Sequence, residues 1–369
     1  MQTTRSDFLA LFGCACATAV LGAAEPARPA FTMRIDDNHA PAEWRRVADI
    51  FERRGMRLSF AVVPATLTEA QGACLKELAA RGHVIMDHTP NHTFYRATYH
   101  DSAAFEAARS RPFVQEVDAR TRTLYFRPEV DAAHPANRRA QATIAGDVLS
   151  FAPGQGLKPG TYYSFVGIDG VEGVFGLQTA DGRFHLRDFW RRPLRQPPKT
   201  GDVEVTISAE AALQPCDDVL RELAQVSRER FDHFGLPRPT IWVRPGGWDP
   251  GVKWESLERV YGRAFGYVGA DSRVGGVWGG SRWTTGFDAM YFFDQGADIT
   301  PERLVDQIEA RLKAGRFHVT LSHMWHNKLP GRLDEYFAKT ERFAQLLVDR
   351  KIPTLTMAGS LDARFGGIH

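Results

Sequence analysis

Cysteine is scarce. The 369-residue chain contains four, and two of them, Cys14 and Cys16, lie near its start. No Cys-x-x-Cys pair occurs, which excludes thiolate zinc ribbons and dithiol redox motifs. Cys74 and Cys216 remain, too far apart in sequence for spacing to say whether they pair or stay as free thiols. An excess of one charge is also missing: 46 basic residues face 44 acidic ones, for a net charge of +2. The one dense basic run, Arg187 to Arg195, is local, so no nucleic-acid or acidic-membrane partner is expected. Beyond the N-terminus no apolar run approaches the roughly 20 residues that span a bilayer. Internal repeats are absent, and the only biased tract is Pro193 to Pro198.

What is present is ordinary for a folded enzyme-sized chain. Hydrophobic residues make up 43% and charged residues 24%, enough apolar content for a substantial core. The length implies one large domain carrying an insertion, or two domains. The first 24 residues read as an export signal. Arg5 is followed by an apolar stretch from Phe8 to Leu21 and by the small residues Gly22-Ala23-Ala24. That places the mature protein outside the cytoplasm, periplasmic or extracellular. Leu11-Phe12-Gly13-Cys14 also fits a lipid-attachment box, and the same stretch fits a first helix of the fold.

Short β-type runs alternate with amphipathic helical periods in two stretches, about 30–109 and 216–369. In the first, strands are expected at Phe31 to Ile35, Arg57 to Val63 and His83 to Asp87. Helices lie between them at Glu43 to Arg54 and Leu67 to Arg81. In the second, strands are expected at Thr240 to Arg244, Tyr267 to Ala270, Ala289 to Phe293, Phe317 to Leu321 and Thr354 to Met357. Helices run from Cys216, Trp254, Pro301 and Leu333. Strands separated by helices of 10–15 residues are β/α units of a parallel sheet. Seven or eight of them make a (β/α) barrel, read here as an incomplete, seven-stranded one. Residues 110–215 differ. They are rich in Gly, Pro, Thr and aromatics, with strand patterns at Leu124 to Val130, Gln141 to Phe151, Tyr162 to Ile168, Val174 to Leu177 and Phe184 to Phe189. This is read as a small antiparallel β domain inserted after the third barrel strand.

The polar residues fall where such a barrel does chemistry. Asp36-Asp37, His88, Arg244, Asp271 and His323 each stand at or just past the C-terminal end of an expected strand, the end that forms the catalytic face. His88 and His92, four apart, with a carboxylate from Asp36-Asp37, are the donor set of a site that leaves a coordination position open. Each element has a plainer reading. Asp36-Asp37 fits a helix cap or turn, His88 and His92 a helix-face pair, His323 a packed core histidine, and Arg244 a structural ion-pair partner.

In these residues the chain resembles the polysaccharide deacetylases of carbohydrate esterase family 4, the NodB-homology fold. Its stretches Arg34-Ile35-Asp36-Asp37-Asn38, His88-Thr89-Pro90-Asn91-His92, Arg244-Pro245-Gly246-Gly247, the turn at Asp271, and Leu321-Ser322-His323 follow the family's five motifs in order. Gly82-His83-Val84-Ile85 matches the lead-in to the second. The resemblance covers the barrel portions and not 110–215. It implies a divalent metal, Zn²⁺ with Co²⁺ or Ni²⁺ as substitutes, held by Asp37, His88 and His92. It further implies Asp36 as general base, His323 as general acid, Arg244 as the guanidinium holding Asp36, and Asp271 as an orienting carboxylate. An oxyanion would meet backbone amides near Gly246-Gly247, and Trp248 and Trp325 are candidates to stack on a sugar ring. Asn38 stands where the family has glycine. The implied activity is removal of acetyl groups, N- or O-linked, from a carbohydrate substrate. Two other readings stay open: a carbohydrate-binding protein on a decayed barrel, and a metal-dependent amidase acting on a small non-sugar amide.

Overall fold

The computed structural model describes residues 28–130, the strands and some connecting residues between 133 and 209, and residues 213–245, 254–270, 287–291, 299–324 and 332–365. The N-terminal 24 residues read as an export signal lie outside these.

The first half builds in β/α units. Strand β1 (Phe31–Asp36) is buried along its whole length, as a parallel strand covered on both faces should be. Helix α1 (Pro41–Glu52) starts with proline at its first position, where the missing N–H costs nothing. Its Trp44, Val47, Ala48 and Phe51 recur at helical spacing and are buried. It stops at Gly55 (φ 74°), where Met56 N–H reaches back to the Phe51 carbonyl at 3.1 Å. Strand β2 (Ser59–Val62) follows, then α2 (Glu69–Ala80), opened by a reciprocal cap between Thr68 and Gln71. Strand β3 (Val84–Asp87) ends this half.

The chain then turns antiparallel. Strand β4 (Arg96–Thr98), helix α3 (Ser102–Ala108), β5 (Val114–Asp118) and β6 (Thr123–Phe126) give a three-stranded sheet ordered β4-β6-β5. This sheet pairs residues on either side of position 110, so antiparallel structure begins before that position. Short β7 (Glu129–Val130) pairs with β14 (Leu213–Gln214). Between them β8 (Arg138–Ala145), β9 (Val148–Phe151), β10 (Tyr162–Val166), β11 (Val174–Gln178), β12 (Arg183–Arg187) and β13 (Gly201–Ala209) close into a six-stranded barrel. Leu149, Phe165, Phe184, Leu186 and Val205 fill it. The single strand expected from Gln141 to Phe151 is in fact the β8–β9 hairpin, reversed at Gly146 with φ 64°. The buried residues lie at even positions in β8 (Ala140, Ala142, Ile144) and at an odd one in β9 (Leu149), so the alternation breaks at the turn.

The second half returns to the parallel sheet. Helix α4 (Asp217–His233), β15 (Ile241–Val243), α5 (Trp254–Leu257) with a π-helical continuation (Glu258–Ala264), β16 (Val268–Ala270), β17 (Phe287–Tyr291), α6 (Pro301–Lys313), β18 (Phe317–Ser322), α7 (Arg332–Asp349) and α8 (Met357–Phe365) follow. The parallel sheet is curled, with strand order β16-β15-β3-β2-β1-β18-β17. Its outer face packs on α1, α2, α6 and α7 through Phe31, Phe60, Trp44, Phe343 and Leu347. Its inner face holds Ala61, Met86, Val243 and Val319 against Met357 and Leu361 of α8. The strand expected at Thr354 to Met357 is not formed. Thr354 makes one isolated parallel bridge to Phe31, and from Met357 the chain is helical. The apolar residues there fill the inside of the curl, a position that needs a plug more than another strand. Cys74 and Cys216 are both free thiols. Among the described residues no helix is long and apolar enough to cross a membrane.

Candidate metal centre

Four polar residues occupy the first position past a parallel strand: Asp37 after β1, His88 after β3, Arg244 after β15 and His323 after β18. The backbone fixes two of them directly. Asp37 N–H donates to the Ala61 carbonyl at 3.0 Å, and His88 N–H to the Val62 carbonyl at 2.9 Å. The parallel ladder thus runs into the site and stops there.

Asp37 leaves the strand with φ 69°, a left-handed conformation that Asp tolerates better than most residues. Its neighbours hold it. His39 Nε2 bonds the Asp36 carbonyl at 2.8 Å. Asn38 donates to the Val63 carbonyl at 2.8 Å and accepts from Val63 N–H at 3.0 Å. Asn38 thus ties the turn to the end of β2, and the left-handed residue is Asp37 itself.

Asp37, His88 and His92 converge. Their ligand atoms all lie within 4.8 Å of one another. His92 Nε2 stands 3.3 Å and His88 Nε2 3.8 Å from Asp37 Oδ1. The two imidazoles meet edge to face, with centroids 4.7 Å apart. Donor atoms about 2.0–2.2 Å from a tetrahedral ion stand about 3.3 Å from each other, so the spacing suits a shared cation with little movement. The chemistry of the set agrees. His88 Nδ1 bonds the Val243 carbonyl at 2.9 Å, which makes Nδ1 the protonated nitrogen and leaves the Nε2 lone pair facing Asp37. Both Nε2 atoms are buried without a hydrogen bond, an arrangement that costs free energy unless another partner takes the lone pairs. Burial, and then the neighbouring His92, pulls the His88 pKa down to about 4, so this imidazole is neutral and ready to ligate near pH 7. Burial pushes Asp37 up, but His88, His92 and His323 outweigh it, so its pKa lies below the usual carboxylate value.

Asp36 faces the same side, fully buried. Arg34, two residues earlier on β1, grips it with both arms: Nε donates to Oδ1 and Nη2 to Oδ2, each at 2.7 Å. Burial raises the Asp36 pKa, and Arg34, His88 and His323 more than reverse this. The guanidinium that keeps Asp36 ionised is therefore Arg34, where the sequence pointed to Arg244. The signal was available in the period of a strand, which puts residues 34 and 36 on one face. Arg244 lies half-buried one residue past β15. His323 Nε2 stands 4.0 Å from Asp36 Oδ2 and 4.0 Å from Asp37 Oδ2, so one imidazole faces both carboxylates. Gly246, Gly247, Trp248, Asp271 and Trp325 lie outside the described residues.

A separate cleft of about 1310 Å³ opens between the three-stranded sheet and the N-termini of α4 and α5. It is lined by Phe113, Arg127, Asp217, Arg221 and Arg259 among others, and by none of the metal-site residues. Its charges are largely spent on each other, as in the two-armed contact of Arg259 with Asp217.

The model of the polysaccharide deacetylase family matches residues 24–143. That span contains Asp36, Asp37, His88 and His92, and ends in β8; Arg244 and His323 lie beyond it. No curated protein matches the chain. Among solved structures, a family 4 acetyl xylan esterase from Clostridium thermocellum in complex with a cobalt ion is similar. It has 9% identity over 92% of this chain and 93% of that one, with a TM-score of 0.41. A family 4 carbohydrate esterase from Streptomyces lividans in complex with acetate has 9% identity over 89% and 92%, with a TM-score of 0.40. A family 4 pseudoenzyme from Bacillus anthracis has 7% identity over 92% and 67%, with a TM-score of 0.43. Residues 24–143 are thus similar to the polysaccharide deacetylase family, and within that span the first and third parallel strands lead directly into Asp37 and His88.

Proposed function

We propose that this protein is a metal-dependent hydrolase that removes acetyl groups, N- or O-linked, from a carbohydrate. The observation that carries the reading is the convergence of Asp37, His88 and His92 beside a second carboxylate and a third imidazole. Bound by those three side chains, a divalent cation supplies Lewis acidity towards a carbonyl oxygen and acidifies water. Zn²⁺ suits two imidazoles and one carboxylate, with Co²⁺ and Ni²⁺ as substitutes.

The remaining chemistry belongs to the chain. Asp36, ionised and locked by Arg34, accepts a proton from the attacking water through a lone pair that the guanidinium leaves open. His323 Nε2 faces the same space and donates a proton to the departing amine or alcohol. Asp36 and His323 are thus set as base and acid on opposite ends of one transfer. Gly246-Gly247 backbone amides, Asp271, Trp248 and Trp325 complete the proposed set as oxyanion donor, orienter and sugar-stacking faces. Residues 110–215 are proposed to form an inserted domain, and residues 1–24 to direct export to the periplasm or beyond.

Acetate release from acetylated xylan and from N-acetylated chitooligosaccharides, with and without a chelator, tests the proposal. Release that stops on chelation and returns with Zn²⁺ or Co²⁺ is expected. Asp36→Asn should abolish turnover with the metal still bound. Metal-loaded protein that releases no acetate from any acetylated glycan would end the reading.

A further inference from the structure

His88 and His92 are carried by a loop, residues 88–93, whose backbone is unusual. Thr89 has φ 65° and His92 φ 56°. A β-branched residue at positive φ is a conformational outlier, and it persists only where surrounding contacts determine it. Those contacts can be traced. Asp87, the last residue of β3, is fully buried, and its Oδ1 accepts the Thr89 N–H at 2.9 Å. The Thr89 hydroxyl oxygen in turn accepts the Thr93 N–H at 3.0 Å, closing the loop around His92. The same Asp87 Oδ1 accepts the hydroxyl of Ser227 at 2.8 Å. Ser227 is fully buried and lies on α4, 140 residues away in sequence. Asp87 points away from the inner face of the sheet. It does not face Asp37, and nothing else in the proposed chemistry uses it.

We propose that Asp87, anchored by Ser227, is a positioning residue for the metal ligands, clamping Thr89 so that His88 and His92 present their Nε2 atoms together. The clamp joins the two halves of the chain: the ligands come from the segment after β3, and the anchor from α4 beyond the antiparallel region. His88 has a second tie of the same origin, to the Val243 carbonyl of β15. The geometry of the centre is therefore set from behind by the second half of the fold. Outer partners of ligating residues typically govern metal affinity by about 10–100-fold.

This rests on the metal-centre reading, and the test separates the two. Co²⁺ is titrated into chelator-stripped protein, reading its visible absorption and dissociation constant, alongside a thermal melt of the metal-free protein. Ser227→Ala is expected to weaken Co²⁺ binding about 10-fold or more and to alter the spectrum, with the metal-free melt little changed. Asp87→Ala should weaken it further. Asp87→Asn, whose Oδ1 can accept both hydrogen bonds, should restore wild-type affinity and spectrum. Wild-type affinity and spectrum in Ser227→Ala would overturn the proposal, even if Asp87→Ala fails to fold. Wild-type protein that takes up no Co²⁺ would overturn the metal centre itself, and this inference with it.

Discussion

Arg34 and Asp36 form a buried two-armed ion pair, Nε to Oδ1 and Nη2 to Oδ2, both at 2.7 Å, from adjacent inward positions of a single strand. Their side chains are 2% and 3% exposed. The carboxylate proposed to take the proton is therefore charged, oriented and dry before any substrate arrives.

Removing one partner of such a pair leaves an uncompensated buried charge, which typically costs about 3–5 kcal/mol. Arg34→Met should lower the stability by that order in urea unfolding, and should lower turnover sharply in the fraction that folds. The double variant Arg34→Met/Asp36→Leu should regain much of the lost stability while remaining inactive. An Arg34→Met protein as stable as wild type would show that the pair is not what holds Asp36.

Asp87 gives a pH dependence of opposite sign to its neighbours. Burial raises its pKa from 3.8 to about 7, against the lowering influence of Ser227, Tyr267 and Thr89. Between those values the unfolded chain has lost the proton and the folded chain keeps it, so this group's contribution to stability declines as pH rises from about 4 to 7. His88 and His318 act the other way. Burial, first in each case, lowers His88 from 6.5 to about 4 and His318 from 6.5 to about 3. Their contribution is complete above 6.5 and is lost as pH falls towards those folded values. Comparing wild type with Asp87→Asn cancels the histidines. In metal-free protein, Asp87→Asn should gain on wild type by about 2–3 kcal/mol between pH 5 and pH 7.5, at about 1.4 kcal/mol per unit. A difference that does not change with pH would show that Asp87 ionises normally.

The strand-end placement of the candidate site was legible because a parallel strand announces itself as an apolar run, and the residue after it stands at the C-terminal edge of the sheet. Asp37, His88 and His323 are placed that way by the sequence pattern alone. Asp87 and Ser227 are not, since their contact joins positions 140 residues apart in sequence and neither residue belongs to a motif. Arg34 was within reach through the two-residue strand period, but a charged residue inside an apolar run reads as an interruption until its partner is seen. The hairpin at Gly146 and the plug helix α8 were missed for a related reason. Gly146 and Asp147 are only a two-residue break in a run with strand character on both sides, and a short apolar segment does not say whether it will pair or fill.

If Asp37, His88 and His92 share one ion, the folded state binds it and the unfolded state largely does not. Stability then rises with free metal as RT ln(1 + [M]/Kd), about 2.7 kcal/mol at a hundredfold excess over Kd. Chelation should lower the melting temperature of wild type, and Zn²⁺ should restore it. His92→Ala and Asp37→Ala should each abolish that metal-dependent shift. A melting temperature insensitive to both chelator and Zn²⁺ would remove the physical basis for the centre.

Gly72 tests the closure of the fold across the antiparallel region. It lies in α2, in the first half, and a Cβ at that position would run into the ring of Phe234, which follows α4 in the second half. The obstruction is a ring set in a packed core: Phe234 is 8% exposed and belongs to the same apolar cluster as Leu75 and Leu78. Gly72 is helical, so alanine would favour it by roughly 1 kcal/mol on backbone grounds alone. Overpacking a filled site costs about 1–3 kcal/mol, and here the cost should win. Gly72→Ala is therefore expected to destabilise the protein by up to about 2 kcal/mol net, read by urea unfolding. Gly72→Ala/Phe234→Leu should recover part of the loss, because the smaller side chain vacates the space the new methyl needs. A stabilised Gly72→Ala would mean that α2 and the end of α4 do not pack this closely.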